Sequence, residues 1–287
     1  MIERPAQGSL PTVPFGPHRI TRLIVGGNPF SGHSHTSPEL SREMIDYYSV
    51  ANIKATLFEA ERAGLNTMQS RGDRHITRMI VEYRQEGGKL QWIGQTASEL
   101  ADTAANVRYM ASFQPIGIYH HGSRTDAYWR QGRIDAVRDY LKVMRDLGVQ
   151  VGLGTHLPEV VEYAEEHAWD LDFYMTSLYN PRPGGSASGT ASGVVDQELY
   201  LEEDRVRMIK TIRETPKTCL ALKILAAGRN SRTPEDLRRA FEHAFASIKP
   251  TDAVVVGVYQ KRGNQIAENA ALVREICGEG ANGDEQG

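Results

Sequence analysis

Eight short apolar runs recur along the chain, at 22–30, 66–73, 90–97, 115–123, 150–157, 171–181, 218–228 and 253–262, each partly β-branched or aromatic and bounded by Gly, Pro or Asp. Between them apolar residues return at helical spacing, as in Ile53, Leu57, Ala60 and Ala63, or Ala136, Tyr140, Val143 and Leu147. Strand then helix, eight times over, predicts one α/β domain, a (βα)8 TIM barrel over residues 21–277. Barrels of this kind place their chemistry at the C-terminal ends of the strands, so the polar residues that close each run are the ones to read for function.

The 287 residues suit one barrel of about 250 residues, with no length for a second domain. Pro5, Pro11, Pro14 and Pro17 without apolar periodicity predict an irregular N-terminal arm over 1–20, and the Gly/Asn/Asp/Glu composition of 278–287 predicts a disordered tail. One connection, 182–199, is rich in Ser and Gly and longer than most loops; it reads equally as a lid over the site or as a passive insertion. A net charge of −3 with both signs interspersed argues against nucleic acid or an anionic membrane as partner and leaves a small-molecule substrate. No apolar run approaches a membrane span and no leader pattern opens the chain, so a cytoplasmic protein is expected. Cys219 and Cys277 lack metal-type spacing and read as buried thiols, and no exposed apolar stripe indicates an oligomeric state.

At the strand ends stand Asn28 after Gly26-Gly27, then Gln69, Arg71 and Asp73, then Gln95, then His120-His121, then His156, Tyr179, Lys223 and Arg229. Adjacent strand residues face opposite ways, so only one of His120 and His121 points to the barrel axis. Lys223 lies among apolar neighbours, where a charged amine needs an anionic partner or a lowered pKa, and this places it in the site. Asp73 suits either capping of the helix that starts near Ile76 or a catalytic role. His35, His75 and His156, with Asp73 and His121, offer N and O donors for a divalent transition metal, though without a local ligand motif.

Several segments carry a family resemblance. Ile116-Gly-Ile-Tyr-His-His121-Gly, Gly152-Leu-Gly-Thr-His156, Asp172-Phe-Tyr-Met-Thr-Ser-Leu-Tyr179-Asn180, Lys223-Ile-Leu-Ala-Ala-Gly228 and Gln265-Ile-Ala-Glu268-Asn269 follow one another in order and spacing. In these the chain resembles the aldo-keto reductase superfamily over about two thirds of its length. The resemblance implies a nicotinamide cofactor across the C-terminal face, with Gly228, Gln265, Glu268 and Asn269 toward its adenine end. It also implies an Asp, a Tyr and a Lys beside the histidine for carbonyl protonation. Here the chain departs: Gln69-Ser70-Arg71 stands where Asp-Thr-Ala is expected, Gln95-Thr96 stands for Thr-Lys, and only His121 survives of the catalytic set.

The preferred reading is therefore an enzyme that keeps the barrel and performs non-redox lyase, isomerase or hydrolase chemistry on a small polar carbonyl or polyol compound. In it His121, Lys223, Asp73 and Arg71 are catalytic, and Asn28, Gln69, Gln95, Tyr179 and Arg229 bind substrate. A metal on His35, His75 and His156 would assist. The alternatives are an NADPH-dependent oxidoreductase with a substituted proton donor and a barrel that binds without catalysis.

Overall fold

The computed structural model describes residues 10–183 and 198–278. Eight parallel strands close into a barrel: β3 (Leu23–Gly26), β4 (Thr67–Arg71), β5 (Gln91–Gln95), β6 (Gly117–His120), β7 (Gln150–Thr155), β8 (Phe173–Ser177), β11 (Thr218–Leu222) and β12 (Ala253–Gly257). Strand β11 pairs with both β8 and β12, and β12 returns to β3, so no barrel edge is left open. This is the (βα)8 architecture that the alternation of runs predicts.

The surrounding helices form where local chemistry starts them. Ser37, Ser49, Asp102 and Thr233 each accept a hydrogen bond from a backbone N–H in the first turn of α1 (Pro38–Tyr47), α2 (Val50–Arg62), α4 (Thr103–Ala111) and α9 (Pro234–Ser247). Proline near the first position of α1, α7 (Pro158–Glu166) and α9 uses a place where the missing N–H has no helical partner. The remaining helices are α3 (Arg74–Gln85), α5 (Gly122–Arg130), α6 (Val137–Asp146), α8 (Glu202–Glu214) and α10 (Gln265–Gly278). Among the described residues no helix is long and apolar enough to cross a membrane.

Two apolar layers result from the two-residue period of the strands. Met68, Trp92, Ile118, Val151, Leu153, Tyr174 and Val254 pack outward against the helices. Ile24, Ile93, Tyr119, Phe173, Met175, Leu220 and Val255 fill the barrel itself. Gly152 makes this filling possible, because a Cβ there would lie 2.3 Å from the Phe173 ring.

The N-terminal arm differs from the expectation of irregular chain. Residues Thr12–Phe15 (β1) and His18–Thr21 (β2) form an antiparallel hairpin, with Gly16 in the left-handed region at φ +56° in its turn. Val13, Phe15 and Ile20 alternate with polar positions and enter the barrel core, where Phe15 meets Phe173 at 4.8 Å between ring centres. The hairpin thus closes the bottom of the barrel; its prolines mask a three-residue apolar face too short to register as a strand pattern. The central part of the 182–199 connection and the tail from 279 onward lie outside the described residues. Its ends pair as β9 (Arg182–Pro183) and β10 (Glu198–Leu199).

Candidate active site at the barrel mouth

The mouth contains two clusters. The first centres on Lys223, the residue that follows β11. Its backbone is left-handed at φ +63°, as are those of Ala226 and Ala227 just beyond and that of His35 across the mouth. Non-glycine residues hold this conformation only where their surroundings impose it, and such strain gathers at functional sites. Lys223 Nζ lies 3.5 Å from His35 Nε2, which is also 3.3 Å from Asn28 Nδ2. On the other edge of the ring, His35 Nδ1 lies 3.1 Å from Glu198 Oε1, and Tyr200 donates its hydroxyl to Glu198 Oε2 at 2.8 Å. Arg229 bonds the carbonyl oxygens of Glu198 and Ala226 and stacks 4.4 Å over the Tyr200 ring.

The electrostatics follow from this enclosure. Burial lowers the Lys223 amine from 10.5 to about 8, against the pull of Glu198 and with the help of Arg229. Burial acts to raise the Glu198 carboxyl, but the hydrogen bond and charge of His35, the Tyr200 hydroxyl and the Lys223 charge overcome it and hold Glu198 at about 2. His35 is lowered, first by burial and then by the Lys223 charge, although Glu198 opposes this. The set is therefore an easily deprotonated amine facing an imidazole backed by a fixed carboxylate.

The second cluster carries two histidines in complementary tautomers. His121 follows β6 and its Nδ1 accepts from the backbone N–H of Ser123 at 3.1 Å, which leaves the proton on Nε2. Burial lowers His121 to about 4, helped by the charges of His156 and Arg71, so the ring is a neutral hydrogen-bond donor. His120 faces outward, bonded to Thr125 at 2.8 Å and stacked on Tyr140, so of the pair it is His121 that borders the mouth. His156 follows β7 and places Nδ1 2.7 Å from Asp126 Oδ2. Asp126 is buried on α5 and accepts also from the Thr155 hydroxyl at 2.6 Å and the His156 backbone N–H.

Arg71 is taken up by an ion pair with Glu99, by His33 Nε2 at 2.9 Å and by Asp73, whose Oδ2 lies 3.3 Å from Arg71 Nε. Asp73 caps α3 by accepting from the Ile76 N–H at 2.8 Å. Gln69 lies inside the barrel, donating to the Tyr119 hydroxyl at 2.8 Å. Gln95 stands one pleat above the interior residue Ile93 and so faces the mouth. Tyr179 is buried, accepting from Asn230 at 3.2 Å beside Tyr200.

The metal expectation is corrected: His75 stands exposed on α3, away from His35 and His156, each already bonded to a carboxylate. Among the described residues no three or more His, Cys, Asp or Glu are grouped to hold a metal ion. The residues that the resemblance set toward a cofactor's adenine end lie on the last helix and, for Gly228, after β11. Gln265 Oε1 accepts from the Tyr259 N–H at 2.7 Å, Asn269 is buried in α10, Glu268 is exposed, and Gly228 ends the left-handed turn after β11.

Asp126, Glu198 and Tyr200 were not identified from the sequence. Asp126 does leave a signal, a carboxylate within the buried face of α5 beside Gly122 and Thr125. Glu198 leaves none, because it stands on the two-residue β10 between β8 and α8 rather than at the end of a barrel strand.

Burial of neutral imidazoles makes stability pH-dependent. His120 is lowered to about 3 and His121 to about 4, and His33 and His35 are also lowered, in each case first by burial. The unfolded chain therefore binds protons at these sites from about 6.5 downward while the folded chain does not, and stability is lost as pH falls toward 4. Asp252, raised by burial, works in the opposite sense but is one group against several. Urea midpoints should drop steadily between pH 7 and pH 4; a flat profile would mean that these rings are not buried neutral.

No family model matches the chain, and no curated protein matches it. Among solved structures it is similar to the apo form of Gox0644, with a TM-score of 0.56 at 8% identity over 94% of each chain. It is similar also to dihydropteroate synthase from Xanthomonas albilineans, at 0.52 and 14% over 95% of this chain and 98% of that one. A further match is the Amycolatopsis orientalis BexX/CysO complex, at 0.52 and 13% over 96% and 97%. These likenesses establish the barrel fold. They do not uphold the resemblance to aldo-keto reductases: none of these three structures bears that family's name, and no family model or curated protein supports it.

Proposed function

We propose that this chain is a non-redox barrel enzyme of the lyase or isomerase kind, acting on a small polar carbonyl compound through the amine of Lys223. The observation that carries the reading is the Lys223 environment: an enclosed amine lowered to about 8, held at the mouth by left-handed backbone and set against His35. An amine so lowered has a usable neutral fraction near neutrality and adds to carbonyl carbon to form an iminium. His35, backed by Glu198 and Tyr200, would accept the ammonium proton. His121, a neutral donor through Nε2, would polarise the carbonyl oxygen by a hydrogen bond, and the His35 imidazolium would return its proton to that oxygen as it departs. Asn28 and Gln95 present amides to the substrate's hydroxyl groups, while Arg71 and Asp73 shape the rim through their own ion pair and helix cap.

The test is reductive trapping. Incubation of the protein with dihydroxyacetone and sodium cyanoborohydride, followed by peptide mass mapping, should yield a reduced adduct on Lys223 ahead of every other lysine. Adducts spread over exposed lysines, with Lys223 unmodified, would sink the reading.

A further inference from the structure

His156 and Asp126 form an arrangement that the chemistry at Lys223 does not use. Asp126 keeps only 2% of its side-chain surface exposed and His156 17%. Such a buried carboxylate is expensive unless its oxygens are satisfied, and here the Thr155 hydroxyl, the His156 backbone N–H and His156 Nδ1 satisfy them. Because the carboxylate accepts from Nδ1, the imidazole proton is fixed there and the lone pair is left on Nε2. Nε2 makes no hydrogen bond among the described residues. A Cβ at Gly122, the residue after His121, would lie 3.4 Å from His156 Cε1, so the ring stands beside the start of α5 at the mouth. A merely structural histidine would be expected to engage both nitrogens. This one is oriented by one edge and presents the other.

We infer that His156, oriented by Asp126, is the general base that removes a proton from the carbon next to the substrate carbonyl. The inference rests on the Lys223 reading. The neutral amine adds to the carbonyl, the proton that His35 took from the ammonium passes to the carbinolamine hydroxyl, and water leaves, giving a positively charged iminium that acidifies the adjacent C–H. His156 Nε2 takes that proton, and the C–H electron pair becomes the C=C bond of a neutral enamine as the iminium π pair returns to nitrogen. Reprotonation from His156 and addition of water release the ketone and restore both groups. Asp126 is a positioning residue: it holds the tautomer and stabilises the imidazolium formed in between. The substrate class is thereby narrowed to carbonyl compounds bearing an α-hydrogen.

Two readouts on the same proteins separate the steps: the Lys223 adduct trapped by cyanoborohydride, and exchange of the α-protons of dihydroxyacetone for deuterium in D2O, followed by proton NMR. Wild type should show both. His156→Gln should still trap the adduct while exchange falls about a hundredfold or more. Asp126→Asn should also retain trapping, with exchange reduced about tenfold or more and the nitrogen-15 shifts of His156 showing the proton moved from Nδ1 to Nε2. Should Asp126→Asn fail to fold, His156→Gln alone decides the matter, since its partly exposed ring leaves the barrel core untouched. Adduct and exchange both at wild-type levels in His156→Gln would overturn the dyad while leaving Lys223 in place. Absence of any Lys223 adduct in wild type would overturn both.

Discussion

Replacing Lys223 with Met abolishes formation of the carbonyl adduct, a loss of about a thousandfold or more, because it removes the amine that burial lowers to about 8. Methionine keeps the length and apolar stem of the side chain, so the left-handed turn and the contacts of His35 with Glu198 persist. In wild type the trapping rate should climb with pH to a plateau with its midpoint near 8, since only the unprotonated amine attacks. An exposed lysine would give a midpoint above about 10. The same shift has a stability counterpart. The folded-state pKa lies below the unfolded value, so the unfolded chain binds the proton more readily and stability declines as pH falls from 10.5 through about 8. Lys223→Met removes that deficit and should melt at or above the wild-type temperature at pH 7. Trapping in the variant at the wild-type rate, or a midpoint near that of a free lysine, would remove Lys223 from the chemistry.

Replacing Phe173 with Ala has the largest expected effect on stability. Phe173 is fully buried at the centre of the barrel, 4.8 Å from Phe15 of the hairpin and 6.4 Å from Tyr119 between ring centres. Gly152 has no side chain with which to fill the space, and the walls are hydrogen-bonded strands of a closed sheet that cannot move inward without breaking their ladders. A cavity that cannot collapse puts the change at the upper end of the range for such truncations, about 3–5 kcal/mol. Against a total of about 5–15 kcal/mol this is a large part of what holds the molecule folded. The urea midpoint should fall accordingly with an unchanged slope. The folded fraction should still form the Lys223 adduct, because the reacting end of the barrel lies at the opposite side from the hairpin.

The distinction between the two ends of the barrel shows where sequence reading succeeds. The eight strands were readable because each is a local signal, a short apolar run closed by a turn residue. The side facing the axis followed from the two-residue period, which assigned one histidine of the His120-His121 pair to the mouth. Lys223 was readable because a lone cation among apolar residues has few reasons to be there.

The hairpin, the metal expectation and the family resemblance failed for a common reason. Each depended on what distant segments do once brought together. Three apolar residues in a proline-rich arm acquire meaning only when a barrel floor needs covering, and His35, His75 and His156 were a ligand set only so long as their directions were unknown. Helix α3 turns His75 to solvent, while carboxylates from α5 and β10 claim the other two rings. The sequence by itself determined the barrel, its axis-facing positions and the cation at its mouth, since these follow from periodicity and from the free energy of burying single side chains. Only the tertiary structure decided which carboxylate orients which histidine, and hence which nitrogen carries the proton, because those pairings join residues 30 and 163 positions apart.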